Sequence, residues 1–133
     1  MVRFSEAAGK PKPPPPPLEN SAIVYVGGDR QSIKVADADG NNQLTLLSRR
    51  DIRPWYPSWS PDGNWIIFSG DLNGPGIYSI KVYRDAGLVE VSPNPIIPLN
   101  IVNTKAAWSP VPTPDGKYKI AYGHLKVTKT PSI

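Results

Sequence analysis

The fold is decided by Trp59-Ser60-Pro61-Asp62-Gly63-Asn64-Trp65-Ile66-Ile67-Phe68-Ser69-Gly70. Proline presets φ at the second position of a tight turn, aspartate accepts backbone N–H groups locally, and glycine takes the positive φ that follows. Trp65 to Phe68 is then apolar without a break, which predicts a strand covered on both faces. The pattern returns as Trp108-Ser109-Pro110, is interrupted by the four residues Val111 to Pro114, and resumes at Asp115-Gly116 before Lys117 to Gly123. The interruption leaves the geometry of this second turn open.

Outward from the central turn, the chain reads as short strands closed by turn residues. Ile23-Val24-Tyr25-Val26 ends at Gly27-Gly28, Ser32 to Ala36 ends at Asp37-Ala38-Asp39-Gly40, and Gln43 to Leu47 follows. After the central strand come a turn at Asp71 to Gly76, a strand at Ile77 to Tyr83, a turn at Asp85 to Gly87 and a strand at Leu88 to Val91. Pro93 to Pro98 reads as a proline-rich link. Runs of about five β-branched and aromatic residues between Gly, Asp and Asn predict antiparallel meanders. No window of helical period competes.

Trp59 and Trp108 lie 49 residues apart, and Ile23-Val24-Tyr25-Val26-Gly27 matches Ile66-Ile67-Phe68-Ser69-Gly70 at a spacing of 43. Periods of about 40–45 residues with four strands each mark propeller blades. The predicted fold is therefore all-β, an incomplete β-propeller. Residues 22–48 form a partial blade, 55–92 a full four-stranded blade, and 104–128 a partial blade that includes Leu125-Lys126-Val127. Blades occupy 21–128, a proline-rich tail 1–20, and a short tail 129–133.

On these residues the chain resembles the WD40-like repeat of TolB-type β-propellers. Trp59 to Gly63, Ile66 to Ser69 and Ile77 to Ile80 carry the likeness, and Ile33 to Gly40 with Leu44-Thr45 resembles the second half of that repeat. The resemblance implies a propeller of about six blades, a bacterial periplasmic or envelope setting, and binding of a protein or peptide rather than catalysis. An alternative it allows is the accessory, substrate-gating propeller of a prolyl-oligopeptidase-like peptidase or a polysaccharide lyase. Little more than two blades cannot close a ring, and a stack needs roughly three or more repeats for stability. The expectation is a fragment of a larger protein, or a homo-oligomer completing the ring.

Composition narrows the chemistry. The absence of cysteine excludes disulfides and thiolate ligands or nucleophiles, without fixing the compartment. No apolar run approaches the roughly 18 residues of a membrane span, so no transmembrane segment is read. Met1 to Ala8 has no apolar h-region, so no signal peptide is read there. Pro11 and Pro13 to Pro17 favour an extended polyproline rod, read as a stiff spacer or else a docking peptide.

No catalytic residue emerges. Asp62 and Asp115 are turn residues without a catalytic partner. Asp37, Asp39 and Asn41 stand at positions 1, 3 and 5 of a calcium-loop pattern, but Asn42 and Ser48 occupy the places of its Gly and Glu, so the match fails. His124 is a lone histidine, read as a surface residue, and neither a metal nor another cofactor is expected. The net charge of +4 concentrates late, where Lys105, Lys117, Lys119, Lys126 and Lys129 face only Asp115. Nucleic acid is not expected as a partner, because residues 21–99 are near neutral and alternate lysines also defend a strand edge. Trp59 and Trp108 are expected to pack between blades. Trp55, Tyr56 and Trp65 surround the central turn and form the candidate binding surface.

Overall fold

The Ser60 to Gly63 turn closes as its residue types dictate. The Gly63 N–H donates to the Ser60 carbonyl at 2.9 Å with Gly63 at φ 73°. The Ser60 hydroxyl donates to Asp62 Oδ1 at 2.5 Å and accepts the Trp65 N–H at 2.9 Å, while the Asn64 N–H reaches the same Asp62 oxygen at 3.0 Å. Ser60 N–H to the Trp65 carbonyl, 2.7 Å, starts the ladder behind the turn.

The structure, a computed structural model, describes residues 18–101 and 103–123. Its strands are β1 (Ser21–Val26), β2 (Ser32–Asp37), β3 (Leu44–Ser48), β4 (Trp55–Trp59), β5 (Trp65–Asp71), β6 (Pro75–Tyr83), β7 (Leu88–Val91), β8 (Ile97–Pro98), β9 (Ala106–Trp108) and β10 (Ile120–Tyr122). All ladders are antiparallel. They form a three-stranded sheet β1-β2-β3, a sheet β4-β5-β6-β7 with β8 also on β6, and a two-stranded sheet β9-β10. The chain is all-β as its alternation predicts, and the described residues form no closed barrel. Among the described residues there is no α-helix, and no helix long and apolar enough to cross a membrane. The polyproline run, His124, Lys126, Lys129 and the strand expected at 125–127 lie outside the described residues.

The second sheet is packed on both faces. On one, Ile66 and Phe68 of β5 and Tyr78, Ile80 and Val82 of β6 meet Ile33 and Val35 of β2, together with Leu18 and Ile52. Phe68 stacks on Tyr78 at 5.7 Å. The Tyr78 hydroxyl donates to the Gly74 carbonyl at 2.5 Å and accepts the Asn73 N–H at 2.7 Å, so the buried phenol is satisfied and holds the β5–β6 turn. On the other face Ile67 and Ile77 are fully buried, and β9 packs on β4 and β5. The Thr104 N–H donates to Ser69 Oγ at 3.1 Å, and Trp108 Nε1 donates to the Ser58 carbonyl at 3.1 Å. Ile66 to Gly70 is therefore buried at every position. Burying each large apolar side chain contributes about 1.5–3 kcal/mol, so this sheet carries much of the stability.

Two expectations are corrected. Leu18 to Asn20, assigned by composition to the tail, form a 3-10 turn, and Leu18 is only 1% exposed within the core. Arg84 holds that turn: its guanidinium donates to the carbonyls of Leu18 (2.8 Å), Glu19 (3.0 Å), Ser21 (3.1 Å) and Gly63 (2.8 Å), and lies 4.6 Å above the Trp59 ring. The proline-rich link is also partly a strand. The Ser92 N–H still donates to the Ser79 carbonyl at 2.8 Å, the chain leaves β6 at Pro93 to Pro95, and Ile97–Pro98 returns to pair with Ile77 and Gly76. Proline lacks the N–H a ladder needs, so it survives only where the donor side faces away or the strand breaks.

The interrupted turn is intact. Thr113 replaces Ser60 at its tip: the Gly116 N–H donates to the Thr113 carbonyl at 2.8 Å and the Thr113 hydroxyl donates to Asp115. Ser109 keeps the other duty, accepting the Lys119 N–H on its hydroxyl at 2.9 Å as Ser60 accepts that of Trp65. That bond spans 10 residues here and 5 in the central hairpin, so the second loop is longer by five rather than the four visible before Asp115.

Candidate binding cleft

Into β4, the chain reads Arg53-Pro54-Trp55-Tyr56-Pro57. A residue preceding proline is pushed toward extended backbone. Yet Arg53 and Tyr56, both before prolines, sit at φ 40° and 50°. Tyr56 lies in a bulge, where the register slips between Trp55, opposite Ser69, and Ser58, opposite Ile67. The extra residue throws the Tyr56 ring outward, 47% exposed, with its centroid 6.0 Å from that of Trp55. Bulges of this kind re-aim side chains at strand edges.

This aromatic pair faces the end of β1. Val26, Gly27, Gly28, Arg30, Arg53, Pro54, Trp55 and Tyr56 enclose a cleft of about 560 Å³. Arg30 has φ 58°, so three of its lining residues hold the left-handed backbone that side chains disfavour, each at about 1–3 kcal/mol. A Cβ at Gly27 would run into the Ser32 hydroxyl, which would have to turn away from Asp29 to make room. Asp29 at the rim takes the Gln31 N–H at 2.9 Å and the Ser32 hydroxyl at 3.0 Å, which hold its carboxyl below the ordinary range. The ion pairs among the described residues are Arg49–Asp51 and Lys117–Asp115, so neither cleft arginine is neutralised by a carboxylate there. The cleft thus offers two cationic forks beside an aromatic wall. Guanidinium forks suit carboxylates, and aromatic faces suit apolar or planar groups.

The three aromatics expected to form one surface divide. Trp55 and Tyr56 are together in the cleft. Trp65 lies at the far end of the β4–β5 ladder, about 13 Å of strand away. There its ring has Lys81 Nζ at 5.5 Å, and Lys81 also lies 5.0 Å from the Tyr83 ring, beside a separate groove of about 350 Å³ that Glu90 and Pro93 help line. Arg30 and Arg53 were not singled out from sequence. The available signal was two X-Pro pairs bracketing an aromatic pair.

The remaining candidates serve turns and packing. Burial raises the Asp62 pKa, but bonds from the Ser60 hydroxyl and the Asn64 N–H outweigh it and the net shift is downward. Asp115 is lowered chiefly by the Thr113 hydroxyl. Pro61 and Pro110 follow the two serines in their turns. Asp39 accepts from the N–H and side chain of Asn41, and Asp37 accepts the Asn42 side chain at 2.6 Å, so these carboxylates are engaged within their own turn. Among the described residues no group of three or more His, Asp or Glu could hold a metal ion. Lys117 and Lys119 are exposed on the last hairpin. Trp59 packs against the core with Arg84 on its ring, and Trp108 meets Tyr118 edge-on at 6.3 Å. No protein-family model, curated protein or solved structure matches this chain.

Proposed function

We propose that this chain is a non-catalytic binding module of TolB-like β-propeller type, and that its ligand is an extended protein or peptide segment. The observation that carries the binding reading is the cleft, where Trp55 and Tyr56 stand beside Arg30 and Arg53 on backbone held in costly conformations. Strain retained at an open cleft points to a role other than stability. The propeller reading is supported by the relation between sheets. β1 packs on β4 and β5 packs on β9, while Trp59 opposite Ile66 and Trp108 opposite Ile120 occupy corresponding ladder positions.

The test is a titration of the isotopically labelled chain with short peptides containing aspartate and tyrosine, followed by amide chemical shifts. Shifts are expected at 26–30 and 53–56, and Arg53→Ala combined with Tyr56→Ala should abolish them. Equal binding by that double variant would refute the assignment of the cleft.

A further inference from the structure

We propose that an extended peptide adds to the open edge of β1 as a fourth strand of the β1-β2-β3 sheet, running from the cleft to Trp59. The inference rests on the peptide-binding reading and specifies its mode. The Gly27 N–H donates to the Ser32 carbonyl, which sets the alternation along β1. Tyr25 and Ile23 then direct their backbone groups to β2, and Val24 and Val26 direct theirs away from it. Among the described residues no strand pairs with that side. Natural edges are defended by charge, proline or bulges. Ser-Ala-Ile-Val-Tyr-Val has no charge and no proline, its one register slip lies at its start between Ser21 and Ile23, and Ile23 is 40% exposed whereas its sequence match Ile66 is 0% exposed.

A buried donor marks where the added strand belongs. Trp59 Nε1 is buried with no hydrogen-bond partner among the described residues. Trp108 Nε1, in the corresponding position, donates to Ser58, which is paired opposite Ile67 of β5. Ile67 matches Val24 at the 43-residue spacing. The acceptor that Trp59 lacks is therefore a backbone carbonyl on a strand opposite Val24. Buried N–H groups are rarely left unpaired, because the lost hydration is not recovered. At the other end of the same edge, Val26 to Gly28 open into the cleft.

The occupant is an acidic extended peptide, antiparallel like every other ladder, with a small residue opposite Val24 and carboxylates near its N-terminus against Arg30 and Arg53. A second copy of β1 fits less well, since its sequence offers those arginines no carboxylate. Strand addition supplies affinity through main-chain bonds and specificity through flanking pockets.

The experiment uses the full chain and a synthetic peptide of residues 103–110 carrying Asn103→Glu and Lys105→Glu. In the register of β9, its Trp108 falls opposite Ile23 and its Ala107 opposite Val24. Hydrogen exchange at the Val24 and Val26 amides should slow by about tenfold or more on binding. Trp59→Phe should weaken binding about 2- to 12-fold, the worth of one hydrogen bond, beyond whatever the lost ring packing costs the free chain. Exchange in the wild-type chain decides the matter even if that variant fails to fold. Shifts confined to the cleft, with no protection at Val24 and Val26, would overturn strand addition and leave the cleft reading standing. Absence of binding at millimolar peptide would also overturn it, and the cleft titration would then judge the parent reading separately. A concentration-dependent dimer protected along β1 would replace the peptide by a second copy.

Discussion

Ile23-Val24-Tyr25-Val26-Gly27 and Ile66-Ile67-Phe68-Ser69-Gly70 are close in sequence and unlike in surroundings. β5 is flanked by β4 and β6 and covered on both faces, so its middle five residues are all buried. Among the described residues β1 has β2 on one side only, and Ala22 and Ile23 are exposed. Apolar composition makes a strand fit for burial, and the neighbours decide whether it is buried. The tryptophans repeat the lesson: Trp108 bonds to the strand beside it, whereas Trp59 has Arg84 over its ring and no acceptor for its indole N–H among the described residues.

The contrast can be broken by mutation. Phe68→Ala should cost about 3–5 kcal/mol in chemical denaturation and Tyr25→Ala less than half of that; equal losses would mean that β1 is as enclosed as β5. Arg84→Ala should cost about 2–3 kcal/mol, because four carbonyls and the Trp59 face lose a charged partner, and Arg84→Lys should restore little since one ammonium cannot span them. Both Trp108→Phe and Trp59→Phe lose ring packing, but Trp108→Phe should cost about 1 kcal/mol more, because only Trp108 also loses an indole hydrogen bond, measured as shifts in denaturation midpoint. A similar loss at both would show that Trp59 has an acceptor.

The smallest effect is in acid. Asp62 and Asp115 have folded pKa values below the ordinary carboxylate value. The fold thus favours their ionised forms, and the unfolded chain binds more protons in the window between the two values. Their stabilisation is present above about pH 4 and is lost as pH falls through the depressed folded values. Asp62→Asn should flatten that acid limb in a pH series of thermal melts, and Asp115→Asn, at a fully exposed site, should change it less.

Much of this was readable in the residues. Ser60 to Gly63 carries its turn type in its own chemistry, and the unbroken Trp65 to Phe68 run announces a strand with two covered faces. What sequence missed depends on distant partners. Leu18 looks like the end of a proline tail until Arg84, 66 residues away, gathers its carbonyl. Pro98 argues against a strand, yet an outer edge tolerates it. Trp65 is near Trp55 along the chain, but a full strand separates them. The cleft was half legible: its aromatics were visible, whereas its arginines enter through backbone angles that no composition reveals.

Ser60 both anchors its hairpin and shapes the tip, and in the last hairpin Ser109 and Thr113 divide those tasks. Length at the tip is thereby uncoupled from pairing at the base. Foreign sequence grafted between Ser109 and Thr113 would be carried on a stem that closes independently of it, which makes this loop a natural place to install a new recognition element without disturbing the sheets.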